Sequence, residues 1–505
     1  MSKNRRQFLK AGPGVALGAA LAITDLPAHA ASQKKWDEEF DVIVVGSGLA
    51  ASVAASAAVD AGAKVVMLEK MGVLGGTSST SNGTFAVVGS PQQLKAGITH
   101  DTWQIFYQDI LKEGENFCQP HLAEYLAKNS LSAYNFLIAH GAQFEDYLIP
   151  FPGQSINRIV QPRQSCIAGM IRPLQAYLKE KGVEIRTRCR VDSLVFDDKG
   201  RVTGVKIREN YFFDPKLESD DIENKSGTAR TLRARGGVIC GTGGFAHDKV
   251  FMAQEFPQFR NTFSTQHIGS TASGLRLMAN GGARIVHTSF YRPAFPQANN
   301  MGFGVMIDVT TGKRFADETK GRIVQFTVAA NQLNLNGGHV PISILDADAY
   351  ELVINKPHFK VNLNAGYVTR HESIEDLARH YKIPLDALKE TLTRYNEMVV
   401  KGVDTDFKAN LDWGKRNQVD KAPFYAAMVR PDFNYNMGGA LINEKAQVIG
   451  LNTNQPIPGL YAAGEATGGV LGRSRLLGCS TLDCTVYGMT AGRDAAERKT
   501  RGGKA

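Results

Sequence analysis

The sequence predicts an α/β fold: a Rossmann-like dinucleotide-binding domain interrupted by a second domain of mixed α+β character. Three observations predict it. A strand–helix–strand unit with a glycine-rich turn lies near residue 40, and a second glycine-rich strand end closes near residue 245. A third apolar strand with a glycine-rich end returns after Pro423, while the stretch between lacks such ends. The predicted division is residues 1–30 as a leader, 31–245 and 421–505 as the two parts of the dinucleotide-binding domain, and 246–420 as the insertion.

The first element is the apolar, β-branched run Phe40–Val45, read as a buried parallel strand. Gly46-Ser47-Gly48-Leu49-Ala50-Ala51 turns it into an Ala-rich helix over residues 52–61, and Lys64–Leu68 is the second strand. Gly46 permits the tight turn, Gly48 lets backbone approach a pyrophosphate, and Ala51 permits close helix–strand packing. The helix N-terminus offers N–H groups and positive dipole to phosphates. Glu69, 21 residues after Gly48, is placed to accept hydrogen bonds from a ribose, with Lys70 beside it. The loop containing Gly75, Gly76, Thr77, Ser78, Asn82 and Gly83 follows directly and is expected to wrap the cofactor.

Residues 100–180 read as mostly helical, and 183–196 with 201–207 as paired strands around a turn at 197–200, with Val191 against the cofactor. Residues 209–229 are polar and read as an exposed excursion. The strand Gly237–Cys240 then ends in Gly241-Thr242-Gly243-Gly244-Phe245, of which Thr242, Gly243 and Gly244 are cofactor candidates. Helices are predicted over 373–380 and 385–400. The last strand, Pro458–Ala463, ends at Gly464 and Glu465, and Ser480-Thr481-Leu482 opens a closing helix through about Arg498. The N–H groups there, with Ser480 and Leu482, are placed to stabilise anionic charge on a bound ring.

Residues 4–10, Asn4-Arg5-Arg6-Gln7-Phe8-Leu9-Lys10, resemble a twin-arginine export signal, followed by an apolar stretch closed by Asp25 and the small-residue site Ala28-His29-Ala30. The apolar stretch, about 14 residues, is shorter than the ~20 that span a bilayer, so the expectation is a periplasmic chain with no membrane span after cleavage. The net charge of +9 falls to about +6 without the leader, and no basic cluster interleaved with aromatics points to nucleic acid. The six cysteines include no Cys-x-x-Cys-His haem attachment site and no Cys-x-x-Cys zinc pair, so no metal site is predicted.

Three stretches, Asn436-Met437-Gly438-Gly439, Ile457-Pro458-Gly459-Leu460-Tyr461-Ala462-Ala463-Gly464-Glu465-Ala466-Thr467-Gly468-Gly469-Val470 and Arg475-Leu476-Leu477-Gly478, resemble the soluble fumarate reductase and urocanate reductase flavoproteins. The wider relatives are the flavin subunits of succinate dehydrogenase and L-aspartate oxidase. The likeness runs from about residue 38 to the end. It implies FAD as cofactor and a mobile capping domain carrying Arg314-Phe315-Ala316-Asp317-Glu318-Thr319-Lys320-Gly321-Arg322. It also implies Arg322 as proton donor, Arg475 as holder of a substrate carboxylate, and His287, across a two-residue gap, as a substrate ligand. Glu318 or Asp317 would reprotonate Arg322; alternatively Arg322 is an electrostatic clamp and Tyr350 or a water is the acid.

The sequence departs from that family at three places. Tyr435 stands where the family has a substrate-binding His, the region of its Thr-Glu pair reads Pro296-Gln297-Ala298-Asn299, and Ser289–Phe295 is more aromatic than a dicarboxylate requires. No haem domain like that of the flavocytochrome relatives is expected within these residues, which hold no Cys-x-x-Cys-His. The expected activity is therefore reduction of a small anionic α,β-unsaturated acid, with an aryl or alkyl acrylate favoured over fumarate. Hydride would come from the flavin, and electrons from a separate c-type cytochrome. A guanidinium fork such as Arg475 suits a carboxylate, and a Tyr435 hydroxyl adds a donor. Two other readings stay open: a flavin dehydrogenase of a ketone such as a 3-ketosteroid, and a non-catalytic electron-transfer subunit.

Overall fold

A computed structural model describes residues 36–501 apart from 152, 300, 302–303 and 412–417; the export signal expected over residues 1–30 lies outside the described residues. From Asp37 onward the chain forms one compact unit. Its centre is the strand Glu38–Val45, whose run Val42–Val44 has no solvent exposure. Such a strand is apolar on both faces because both are covered. It pairs in parallel with Val65–Leu68 on one side and Thr228–Cys240 on the other, and Glu184–Arg186 and Pro456–Ala462 extend the parallel set. An antiparallel arm, Arg190–Phe196 with Val202–Glu209, joins through Thr228–Cys240.

The helix Leu49–Asp60 is buried over Leu49–Ala58, so its Ala-rich sequence serves packing on every side. Its partner is the final helix, Cys479–Arg501. A Cβ on Gly488 would lie 2.7 Å from Ala50 O, and one on Gly492 2.3 Å from Ala54 O. The two backbones therefore touch at a spacing of four residues, one helical turn.

Two segments depart from the sequence reading. Helices occupy Trp103–Glu113, Pro120–Lys128, Ser130–Ala139 and Arg172–Glu180, but between them Phe144–Ile149 and Ile159–Pro162 form a hairpin that pairs with Phe85–Ala86. The excursion over 209–229 is not solvated throughout: Tyr211 is fully buried, its hydroxyl donates to Asp220, and Asp220 and Asp221 are buried too.

In the middle of the chain Val305–Ile307, Ile342–Leu345, Phe424–Met428 and Val368–His371 make an antiparallel sheet in that order. Its helices, among them Ile374–Tyr381 and Leu385–Lys401, match the predicted periodicity, and its apolar residues form cores of their own. Phe424–Met428 belongs to this sheet, so the inserted part runs on through residue 428. The return strand Asp432–Asn436 pairs with Phe263–Ser264 and with Tyr291–Ala294. Around this joint Tyr291, Phe295, Phe326 and Phe433 pack with Phe256 and Phe259. The aromatic stretch near residue 290 is explained by that packing, which removes the argument for an aryl substrate drawn from it.

Candidate active site

A cleft of about 930 Å³ runs along the carboxyl ends of the parallel strands, at the upper end of the range for ligand and cofactor sites and where open α/β sheets bind ligands. Of the predicted cofactor residues, Gly46, Gly48, Glu69, Lys70, Gly76, Thr77, Ser78, Asn82, Gly83, Val191, Thr242, Gly243, Glu465 and Ser480 line it. Five do not, and each supports the wall from behind. Ala51 packs on Gly241, where a Cβ would lie 2.9 Å from its own. Gly244 backs Glu465, Oε1 of which would lie 2.6 Å from a Cβ. Gly75 and Gly464 take the positive φ their turns require, and Leu482 is core.

The wall fits a dinucleotide. At Gly46 (φ +104°) a Cβ would sit 2.5 Å from Gly241 O, so only glycine can make this turn. Gly76 and Gly243 also have positive φ and nothing within 4 Å of a Cβ position, leaving backbone bare to the cleft. Thr242 Oγ1 is buried without a hydrogen-bond partner, a cost a bound ligand relieves. Glu69 is held at its strand end by Ser47 Oγ (2.6 Å) and Met71 N (2.8 Å), which donate to its two oxygens. Burial raises its pKa above the usual carboxylate value.

At the opposite end Arg292, Arg322 and Arg475 line the same cleft. None of the three has a carboxylate within 4 Å among the described residues, whereas most other arginines have. Arg475 Nη2 and Arg292 Nη1 both donate to Asn434 Oδ1 at 3.4 Å, and Thr265 Oγ1 accepts from Asn434 Nδ2 at 3.1 Å, orienting that amide. The Arg475 guanidinium lies 4.8 Å from the centre of the Tyr435 ring, and its Nε is buried without a partner. Burial, with Arg475 and Arg322 as like charges, pushes the Arg292 pKa down to about 9. Arg322, first residue of the helix Arg322–Leu335, lines the cleft as an exposed residue, and desolvation lowers its pKa. Beneath this end, burial raises Asp483 to about 8, with Glu465 adding repulsion, and Tyr435 is pushed well above the usual phenol value.

Three of the five predicted catalytic residues thus meet: Arg322, Arg475 and Tyr435. The other two do not. His287 lies outside the cleft lining, edge-on to Phe117 at 6.4 Å and against Phe290 at 4.9 Å. Glu318 is fully buried in an ion pair with Arg314 (2.7 Å), also accepts from Met306 N at 2.9 Å, and is turned away from the cleft. Arg314 in turn reaches Asp404 at 2.8 Å. Glu318 is therefore committed to the fold rather than to Arg322. Tyr350, stacked on Tyr425 at 4.1 Å, is also absent from the lining. Replacing Glu318 by Gln is expected to lower stability by about 3 kcal/mol, read as a fall in Tm by calorimetry, while turnover per bound flavin is retained. A large loss of turnover with no loss of Tm would return Glu318 to the site.

Sequence reading missed Arg292 and Asn434. Arg292 sits beside a proline in an aromatic stretch, with no local motif; only its register opposite Tyr435 brings it to the site. Tyr147, Ile149 and Phe151, from the unpredicted hairpin, also reach the cleft.

A dinucleotide wall joined to a cluster of unpaired guanidiniums defines a cofactor-dependent enzyme acting on an anion. The chain belongs to the FAD binding domain family, which matches residues 41–481. It is 34% identical to the acrylate reductase flavoprotein subunit of Shewanella woodyi over 97% of each chain. It is 31% identical to the fumarate reductase (cytochrome) of Shewanella frigidimarina, over 90% of this chain and 77% of that one. The open conformation of a flavocytochrome c3 fumarate reductase matches with a TM-score of 0.80 at 28% identity, over 92% of this chain and 79% of that one. The protein is accordingly an FAD-dependent oxidoreductase of the fumarate-reductase type.

Proposed function

We propose that the protein reduces the C=C bond of a small α,β-unsaturated carboxylate, with acrylate as the leading substrate. The observation that carries this reading is the gathering of Arg292, Arg322 and Arg475 in one cleft without a carboxylate partner among the described residues. Arginines gathered without a counter-charge repel one another, and a bound anion relieves that repulsion. The name of the Shewanella woodyi relative supports acrylate.

FAD, held by the glycine-rich wall, supplies when bound a hydride for the β-carbon. Arg475 and Arg292 hold the carboxylate, their separation set by Asn434, and stabilise the enolate charge that develops on it. Arg322 delivers a proton to the α-carbon. Desolvation lowers its pKa, which eases a transfer that an exposed arginine resists. With Glu318 and Tyr350 outside the cleft, its reprotonation runs through water at the accessible end of the side chain. Hydride and proton together convert the acid to its saturated form.

The two electrons per turnover come from a separate donor, here a c-type cytochrome in the periplasm. The export-signal resemblance of residues 4–10 and the word "subunit" in the relative's name support this. The capping domain that the resemblance implies corresponds to the four-stranded sheet and its helices, and moves Arg322 relative to the wall.

The test is oxidation of reduced viologen by the purified flavoprotein with acrylate, methacrylate, cinnamate, fumarate and urocanate. Acrylate is expected to turn over fastest; no turnover with any acid overturns the proposal. A pH profile adds a second check. Arg292 is cationic below its pKa, so kcat/KM declines as pH rises through about 9. A bound carboxylate favours the cation, so the kcat limb lies at higher pH than the kcat/KM limb. Removing Arg475 relieves like-charge repulsion and shifts the kcat/KM limb upward. An unmoved limb in that variant would sink the assignment to Arg292.

A further inference from the structure

The segment between Glu209 and Gly227 leaves and rejoins the antiparallel arm at one point: a Cβ on Gly227 would lie 2.8 Å from Glu209 O. It is packed by its own side chains. Asn224 Nδ2 donates to Asp220 Oδ1 (2.6 Å) and to Phe212 O (2.7 Å), and Arg208 Nη1 donates to Asn224 O (2.9 Å) and Ser226 O (2.7 Å). Arg208 and Arg190 both lie over the Tyr211 ring.

The face it turns inward is charged. Asp221, 9% exposed, lies 3.6 Å from Lys70 Nζ, 3.7 Å from Arg190 Nη2 and 3.1 Å from Arg276 Nη1. Arg190 Nη2 also donates to Asp221 O at 2.9 Å, and Phe213 lies 5.6 Å from Lys70 Nζ. Arg276 is shared with Asp248 at 2.5 Å. Lys70 and Arg190 line the cleft at the end marked by Glu69, where the strand–helix–strand unit places a ribose. Two atoms of this buried cluster, Arg190 Nε and Asp221 Oδ1, have no hydrogen-bond partner.

We infer that residues 210–226 form a clamp against the wall of the nucleotide half of the FAD site, anchored by Asp221 as a positioning residue. Asp221 ties the excursion to Lys70 and Arg190, two residues of the cleft wall, and so couples docking of the loop to closure of the adenosine end. Without it, three neighbouring cations lose a shared counter-charge and repel one another, which costs most where they are desolvated. The inference requires that the chain binds FAD; it is independent of which acid is reduced.

FAD release from wild-type and Asp221→Asn holoproteins is to be followed by recovery of free-flavin fluorescence on dilution. The variant is expected to release FAD at least about tenfold faster, with an unchanged far-UV circular dichroism spectrum. Rates within about twofold of each other overturn the clamp. A second measurement needs no variant. Trypsin cleavage after Lys216, on the exposed side of the loop, is expected to accelerate about fivefold or more when FAD is removed, and to slow again when ADP is added, because a docked loop opens less often. Cleavage indifferent to both ligands overturns the clamp as well. Wild-type protein purified without flavin would overturn the cofactor assignment and this inference together.

Discussion

Replacing Arg475 with Met is expected to lower kcat/KM for acrylate, the proposed substrate, by about 10²–10³-fold, the loss that follows removal of one preorganised donor to developing anionic charge. The side chain has the geometry for it. It lies in the cleft against Tyr435, shares Asn434 with Arg292, keeps a buried Nε without a hydrogen-bond partner, and has no carboxylate within ion-pair distance among the described residues. An arginine paired within the protein would be part of the scaffold; this one has its charge available. Arg475→Lys keeps the charge and loses the planar fork, so it recovers only part of the rate. FAD content, read from the visible absorbance per protein, stays at the wild-type level, because the glycine-rich wall is untouched. A variant with near-normal kcat/KM would remove Arg475 from substrate binding and with it the basis of the proposed chemistry.

Arg322→Ala is expected to lower kcat by about 10²–10⁴-fold, the range for loss of a positioned acid, with a smaller change in KM. That split separates proton delivery from binding, since loss of a uniform clamp would raise KM at constant kcat. The structure narrows the alternatives. Tyr350 is stacked on Tyr425 and Glu318 is paired to Arg314, so neither substitutes for Arg322 in the cleft. Arg322→Lys is expected to restore part of kcat and to bring the alkaline limb of kcat to lower pH, because an ammonium loses its proton before a guanidinium does. Retention of kcat in Arg322→Ala would make a water or Tyr435 the source of the proton.

The nucleotide end of the site was legible because its chemistry is local. Gly46, Gly48 and Glu69 are fixed by the turn, the close approach and the strand end of one supersecondary unit, and each lies where that unit requires. Gly244 and Leu482 neighbour the right segments yet sit one layer behind: Gly244 is packed against Glu465 in its turn, and Leu482 faces the core from its helix. His287 and Glu318 show the same limit for the catalytic set. Position beside a motif does not say whether a side chain turns to the cleft, to an aromatic neighbour or to an arginine four residues away.

The sequence by itself determined the class of fold and the FAD cofactor, and a family resemblance named the two arginines, Arg322 and Arg475, that the proposed chemistry uses. These depend on short-range backbone geometry and on motifs written in consecutive residues. The tertiary structure decided that Arg292 joins them, through an antiparallel register with Tyr435 more than a hundred residues away. It also decided that the aromatic stretch is core, and that a polar excursion folds back on Lys70 and Arg190. Long-range pairing and the direction of side chains are settled by packing of the whole chain, and no local pattern encodes them.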